Sequence, residues 1–171
     1  MAATPEEYKL KITEKGFKLV EPEKYKEIAK SDAIFKIYIF RKNSTILYVG
    51  LTRQRISTRL SGGFRSFKHW HESKVKKNGY SGHKFIQEFI DSDEIELLVF
   101  PLKHLNSMTN KEDYQAAEAI EAEIVYLIRE KTNRWPVFQN EIHFYNLKDS
   151  KKYAKKIFSK LAINSKAHAK H

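Results

Sequence analysis

The chain has 171 residues, a formal net charge of +11 and no cysteine. The lack of cysteine excludes disulfides, thiolate metal sites and cysteine nucleophiles, and it fits a reducing compartment. No apolar run reaches the length of a membrane span, and the N-terminus lacks the apolar stretch of a signal peptide. We therefore expect a cytoplasmic protein without a membrane partner, folded as a single domain over residues 1–171.

The positive charge is concentrated in one segment. Residues 36–87 carry twelve Lys or Arg and a single acid, Glu72, whereas residues 88–147 have a net charge of −7. Residues 148–171 form a second basic region with a net charge of +7. Concentrated positive charge indicates a polyanionic partner, although scattered lysines more often only keep a surface soluble. The charge pattern favours nucleic acid binding, which a catalytically inert protein would also show.

The chain begins with patterns that predict helices. Residues 1–32 are amphipathic and favour N-terminal helices, with Gly16 as a break and Pro22 near the start of the second helix. Residues 33–40 and 46–52 are rich in β-branched and aromatic side chains and flank a polar turn. Two such runs joined by a short turn are typical of a β-hairpin.

Beyond the hairpin, helices and loops are predicted to alternate. Residues 55–60 have helical character that Gly62 and Gly63 are expected to end, and residues 64–82 form a basic and aromatic insertion. Further elements are predicted as helices at 83–90 and 110–131 (capped by Asn110), strands at 95–102 and 142–145, and a basic helix in the tail, 147–171. This order predicts an α+β fold with a small, mainly antiparallel three-stranded sheet flanked by helices.

Each strand of the hairpin carries a tyrosine, and an arginine follows. Tyr38 and Tyr48 are ten residues apart, and Arg59 lies in the next helical segment. Phosphodiester hydrolysis needs a base, a cation near the phosphorus and help for the leaving oxygen. Two tyrosines, an arginine and a carboxylate from the long helix suit that reaction. The ordinary alternative for each tyrosine is that it only packs in its strand, and the ordinary alternative for the arginine is a surface ion pair.

These residues resemble a known signature. The runs Lys36-Ile37-Tyr38, Tyr48-Val49-Gly50 and Arg59-Leu60 are similar to the GIY-YIG nuclease motif, and the likeness covers residues 33–146. The resemblance implies a GIY-YIG nuclease fold and a metal-dependent endonuclease. Two positions depart from the family pattern, because Lys36 replaces the motif glycine and Gly63 stands where relatives often carry His or Tyr. Either His69 or His71 replaces that missing group, or the group is absent from this chain.

The resemblance also implies a role for each residue. Tyr38 would be the general base, Tyr48 would hydrogen-bond water or phosphate, and Arg59 would bind two phosphate oxygens at once. The pKa of a free tyrosine is near 10, so Tyr38 needs nearby positive charge to ionise, which Lys36, Arg59 and a metal would provide.

A carboxylate of the long helix is expected to bind the metal, Mg²⁺ or Mn²⁺, since Mg²⁺ prefers oxygen ligands. The candidates are Glu118, Glu121 and Glu123. Glu121 is chosen because the apolar pair Ile124-Val125 lies three and four residues after it, which resembles the family pattern. Glu123 is the alternative. Asn140 is the expected supporting residue, with Gln139 as its alternative.

The basic residues of the central segment are expected to contact the backbone of double-stranded DNA, which positions a duplex without reading its sequence. These residues are Lys36, Arg53, Arg55, Arg65, Lys68, His69, Lys74, Lys76 and Lys77. Because the nuclease core fills most of the chain, the sequence favours a type II restriction endonuclease, with residues 64–82 reading the site and the basic tail as a second candidate for that role. A homodimer is expected, since a symmetric pair most simply makes two cuts. A repair, structure-specific or homing-type nuclease is the alternative.

Overall fold

The computed structural model describes residues 4–75, 85–92, 94–105, 111–139, 142–145 and 147–163. Its strands are β1 (Glu6–Thr13), β2 (Gly16–Glu21), β3 (Lys36–Lys42), β4 (Thr45–Thr52) and β5 (Ile95–Pro101). Its helices are α1 (Glu27–Lys30), α2 (Ile56–Ser73), α3 (Phe85–Phe89), α4 (Lys111–Thr132) and α5 (Ser150–Phe158). The predicted α+β class is confirmed.

The sheet has five antiparallel strands in the order β2-β1-β5-β3-β4, so the prediction of three strands was wrong. The two extra strands come from the N-terminal region, where helices were expected. Tyr8, Leu10 and Ile12 are buried and alternate with exposed residues, which is the period of a strand. Gly16 has a φ of 127° and lets the chain turn back into β2.

Helix α2 is longer than the sequence suggested. It passes through Gly62 and Gly63 and continues to Ser73, so the expected end at the two glycines was wrong. A helical glycine costs about 1 kcal/mol relative to alanine. The apolar side of α2 offsets that cost, because Ile56, Leu60 and Phe64 are all buried.

The remaining predictions of elements mostly hold. The hairpin β3–β4, strand β5 and helices α3, α4 and α5 are confirmed, although the boundaries differ by a few residues. Residues 142–145 form no strand. The expected cap Asn110 lies outside the described residues. Among the described helices, none is long and apolar enough to cross a membrane.

The sheet separates two hydrophobic layers. Helices α4 and α5 pack on one face, against side chains such as Ile37, Val49 and Phe100. Helices α2 and α3 pack on the other face, against Tyr38, Phe40 and Val99. Because neighbouring residues of a strand point to opposite faces, β3 sends Ile37 to the α4 layer and Tyr38 to the α2 layer.

Candidate functional site

The site lies at β4, which is an edge strand of the sheet. Tyr38 of β3 is fully buried, and the Tyr48 side chain is 8% exposed. Their ring centroids are 5.9 Å apart, and their hydroxyls share a hydrogen bond. Gly50 pairs with Tyr38 across the hairpin, and a Cβ at Gly50 would lie 2.4 Å from Cζ of Tyr38. The missing side chain at Gly50 therefore makes room for the Tyr38 phenol.

Arg59 reaches the phenols from helix α2. Its Nε donates a hydrogen bond of 3.1 Å to the Tyr38 hydroxyl, and its side chain is half-buried. Burial raises the pKa of Tyr38 above its ordinary value of 10, while the positive charge of Arg59 opposes that shift. Tyr38 is therefore a neutral phenol at pH 7 that accepts a hydrogen bond from a guanidinium.

Glu121 comes to the same place from the other face of the sheet. It lies on α4 and is half-buried, and its carboxylate accepts a hydrogen bond from the backbone N–H of Leu51 in β4. Burial and the nearby Glu118 raise its pKa to about 8, and the positive charge of Arg59 opposes the rise. Helices from both layers thus meet at the edge strand. The structure brings together Tyr38, Tyr48, Arg59 and Glu121.

Two further tyrosines surround the second carboxylate, Glu118. Tyr114, one turn earlier on α4, donates a hydrogen bond to Glu118, and Tyr145 does the same from the segment after α4. Tyr114 also interacts electrostatically with Glu121 and Arg59. The two tyrosines were missed from the sequence. The spacing of Tyr114, Glu118 and Glu121 along one helix face was the available signal.

Gln139, the alternative to Asn140, has a structural contact that the sequence did not suggest. Its side chain pairs with both backbone groups of Val49, accepting from the N–H at 3.1 Å and donating to the carbonyl at 3.2 Å. Val49 lies between Tyr48 and Gly50, so this contact holds the strand at the site. Asn140 itself lies outside the described residues.

Two residues predicted to contact DNA have internal partners instead. Lys36 is fully buried, and its Nζ donates to the carbonyls of Ser31, Ile34 and Arg53 at 2.6–3.0 Å. The expectation that Lys36 contacts DNA was therefore wrong, because the ammonium group faces backbone oxygens inside the protein. Arg53 is half-buried, lies 4.9 Å from the centre of the Phe35 ring and donates to the Ala33 carbonyl.

The other basic residues lie on or beside the exposed side of α2. Arg55, Arg65, Lys68, His69 and Lys74 are exposed. Arg55 faces Asp32 at 3.5 Å, and Lys68 faces Glu72 at 3.9 Å, both at the surface. The Nζ of Lys74 lies 5.7 Å from the Trp70 ring. Lys76 and Lys77 lie outside the described residues.

The histidines proposed to replace the group missing at Gly63 are remote. His69 and His71 follow Arg59 by ten and twelve residues on the same helix. At a rise of 1.5 Å per residue, their backbones lie about 15 to 18 Å from that of Arg59 along the axis. The ring of His71 stacks on Phe67, with centroids 5.8 Å apart. Tyr114 and Tyr145 are the titratable rings that the structure instead brings near the carboxylates.

The donor set near Arg59 fits a hard divalent cation. Glu121 is a partly buried carboxylate on α4, and burial together with the neighbouring Glu118 raises its pKa. Mg²⁺ commonly takes one or two protein carboxylates and completes its shell with water and substrate oxygens. No group of three or more metal-ligating side chains occurs within the part of the chain that the structure describes.

Comparisons of the chain with known protein families, with curated proteins and with solved structures give no match. The candidate site is therefore defined by its own geometry and by the motif residues of the sequence.

Proposed function

We propose that this protein is a metal-dependent endonuclease that hydrolyses phosphodiester bonds of double-stranded DNA. The observation that carries the proposal is the meeting of two phenols, one guanidinium and one helix carboxylate at the edge strand β4. Arg59 donates a hydrogen bond to the buried phenol of Tyr38, and Glu121, a carboxylate with a raised pKa, lies nearby. Packing of the core alone does not require this arrangement. Strongly perturbed groups that cluster in this way are typical of active sites.

Arg59 is the proposed phosphate-binding residue. Its guanidinium can donate to two phosphate oxygens and stabilise the charge that develops on them. In the structure it donates to Tyr38, and an incoming phosphate would compete for that donor. Tyr38 is the proposed base, and its phenol must first release its proton to solvent before it can accept one from the attacking water. The positive charge of Arg59 and the hydrogen bond shared with Tyr48 both favour the ionised form of Tyr38.

Glu121 is the proposed ligand of Mg²⁺ or Mn²⁺. A divalent cation there would supply positive charge to the phosphate and to the leaving oxygen. Loss of the Glu121 proton is a precondition for that binding, since the pKa of this carboxyl group is raised. Metal affinity should therefore increase with pH through the range around 8.

The exposed bases of α2 are the proposed contacts to the DNA backbone. Arg55, Arg65, Lys68 and His69 extend from the Arg59 end of the helix towards its C-terminus. Phosphate contacts of this kind position a duplex. Within the nuclease class we favour a cytoplasmic type II restriction enzyme that acts as a homodimer, because the basic and aromatic extension of α2 offers a surface for reading a site.

The decisive experiment is incubation of supercoiled plasmid with the purified protein, in Mg²⁺ and in EDTA. We expect discrete fragments only with the metal. Arg59→Ala should lower the cleavage rate by about 10³-fold, since arginines that stabilise a phosphoryl transition state have effects of that order. Arg65→Ala is the matched control on the same helix and should weaken binding slightly while cleavage persists.

Other outcomes would contradict parts of the proposal. Retardation of DNA on gels without any cleavage would support an inert binding protein. Cleavage confined to flaps or damaged duplexes would support a repair nuclease. Normal cleavage by Glu121→Gln together with loss in Glu123→Gln would show that the metal ligand is misassigned. Light scattering with and without DNA tests the homodimer, and a monomer in both states would contradict it.

A further inference from the structure

Tyr114 is a half-exposed aromatic ring held in place beside the candidate site. Its side chain is 51% exposed, although it lies in the first turns of α4. Its ring packs edge-on against Phe35, with centroids 6.1 Å apart, and its hydroxyl donates to Glu118. Contacts at both ends fix the orientation of the ring while one surface stays open to solvent.

The Tyr114 ring lies close to two of the proposed catalytic groups. Tyr114 interacts electrostatically with both Arg59 and Glu121, so it lies within the same local field. Phe35, which supports the ring, also lies under the guanidinium of Arg53. The open ring is thus beside the place where a phosphate would be bound, in surroundings that contain the carboxylates of Glu118 and Glu121 as well as the guanidinium of Arg59.

Glu118 does more than hold Tyr114. It accepts a second hydrogen bond from Tyr145, on the segment that follows α4. A carboxylate near a binding site for an anion is unfavourable unless it has a specific partner or cation. Two phenol donors give Glu118 such partners, and they make it a fixed anchor for the ring rather than a mobile surface charge.

We propose that Tyr114 is a substrate-contacting residue whose ring packs against the nucleoside next to the bound phosphate, and that Glu118 is the residue that positions it. This proposal rests on the endonuclease function above. Aromatic rings bind nucleotides by stacking, which contributes about 1–3 kcal/mol per base and tolerates any sequence. A ring fixed beforehand loses little conformational entropy on binding, so its contact is more favourable.

Steady-state cleavage of a plasmid fragment with one mapped site tests the proposal. Tyr114→Ala should raise KM about 10-fold, within the range expected for loss of one stacking contact, and change kcat much less. Tyr126→Ala is the matched control, because Tyr126 is a 44% exposed tyrosine on the same helix, twelve residues further on. It should leave KM unchanged. Thermal unfolding of both variants shows whether the fold is kept.

The anchoring role of Glu118 is tested by a double-mutant cycle. Tyr114→Phe keeps the ring and loses the anchor, so KM should rise only about 2- to 3-fold. Glu118→Ala should give a similar rise, and it should add nothing in the Tyr114→Phe background. Glu118→Gln should restore much of the wild-type KM, since its amide oxygen still accepts from the phenol. A purely structural role for Glu118 would give additive effects.

Failure of this inference and failure of the endonuclease proposal give different results. If the wild type cleaves with Mg²⁺, Arg59→Ala does not, and Tyr114→Ala has a normal KM, the inference about Tyr114 is wrong and the endonuclease stands. A fall in kcat with an unchanged KM would also overturn it, because the phenol would then act in the chemical step. A wild type that never cleaves overturns both.

Discussion

The Tyr38 phenol occupies the space that a side chain at Gly50 would fill. A Cβ at Gly50 would lie 2.4 Å from Cζ and 2.5 Å from the hydroxyl oxygen of Tyr38. Contacts this short do not occur between packed atoms, so the hairpin depends on glycine at this position. The requirement comes from the close approach of a neighbouring ring, because Gly50 is not among the described glycines with positive φ.

Gly50→Ala should therefore damage both stability and activity. The Tyr38 and Tyr48 rings are buried and cannot move freely, so we expect destabilisation of about 1–3 kcal/mol and a large loss of cleavage. Gly62→Ala is the control, since nothing lies within 4 Å of its added Cβ. It should stabilise α2 by up to about 1 kcal/mol. Chemical denaturation measures both, and a stable, active Gly50→Ala protein would contradict the observed packing.

Lys36→Met should behave as a core substitution and not as the loss of a DNA contact. Three partly buried backbone carbonyls would lose their donor, so we expect destabilisation of about 2–4 kcal/mol. Lys68→Met, at the exposed side of α2, should keep its stability and weaken DNA binding slightly. Thermal unfolding combined with gel retardation separates the two results. Unchanged stability of Lys36→Met would show that the ammonium is not needed in the interior.

In EDTA, the stability of the protein should decrease as pH rises from about 5 to 8. The pKa of Glu121 is raised to about 8 from an ordinary value of 4.5, so the folded state keeps a proton that the unfolded state releases. The resulting stabilisation is fully present below about pH 4.5 and is lost as pH rises through 8. Glu121→Gln should remove this dependence, and Glu123→Gln should not. Denaturation in EDTA between pH 5 and 8 measures the slopes.

Loss of the Gln139 side chain should loosen the strand that carries Tyr48. Gln139→Ala removes two hydrogen bonds to Val49, and we expect destabilisation of about 1–2 kcal/mol. Cleavage should fall as well, because Val49 lies between Tyr48 and Gly50. Amide hydrogen exchange at Val49 gives a direct readout and should accelerate. Unchanged exchange in the variant would show that the strand does not depend on this contact.

The elements that the sequence predicts well are those with strong local patterns. The hairpin β3–β4 and helix α4 have clear apolar periods and turn signals. The motif spacing also selected Tyr38, Tyr48 and Arg59, three side chains that the structure brings together. In the N-terminal region a strand alternation was interpreted as a helix, because Gly16 and Pro22 resemble helix boundaries. The apolar period of two, at Tyr8, Leu10 and Ile12, was the better guide.

Burial and contacts between distant parts of the chain explain the features that could not be predicted from the sequence. Lys36 belongs to a strongly basic segment, yet three backbone oxygens hold it inside the protein. Local charge therefore does not distinguish a surface contact from an internal one. The Tyr145–Glu118 contact joins residues far apart in the chain, so no local pattern predicts it. The extension of α2 beyond Gly63 likewise depends on tertiary packing, which outweighs helix propensity.

The outer side of β4 already has partners along much of its length. The N–H groups of Val137 and Phe138 donate to Ile46 and Leu47, and Gln139 takes both groups of Val49. A second copy of the chain therefore cannot add its own strand along this stretch to join two sheets into one. Pairing of two subunits through their strands would have to use the opposite border at β2, and the two candidate sites would then lie at the two outer borders of the joined sheet.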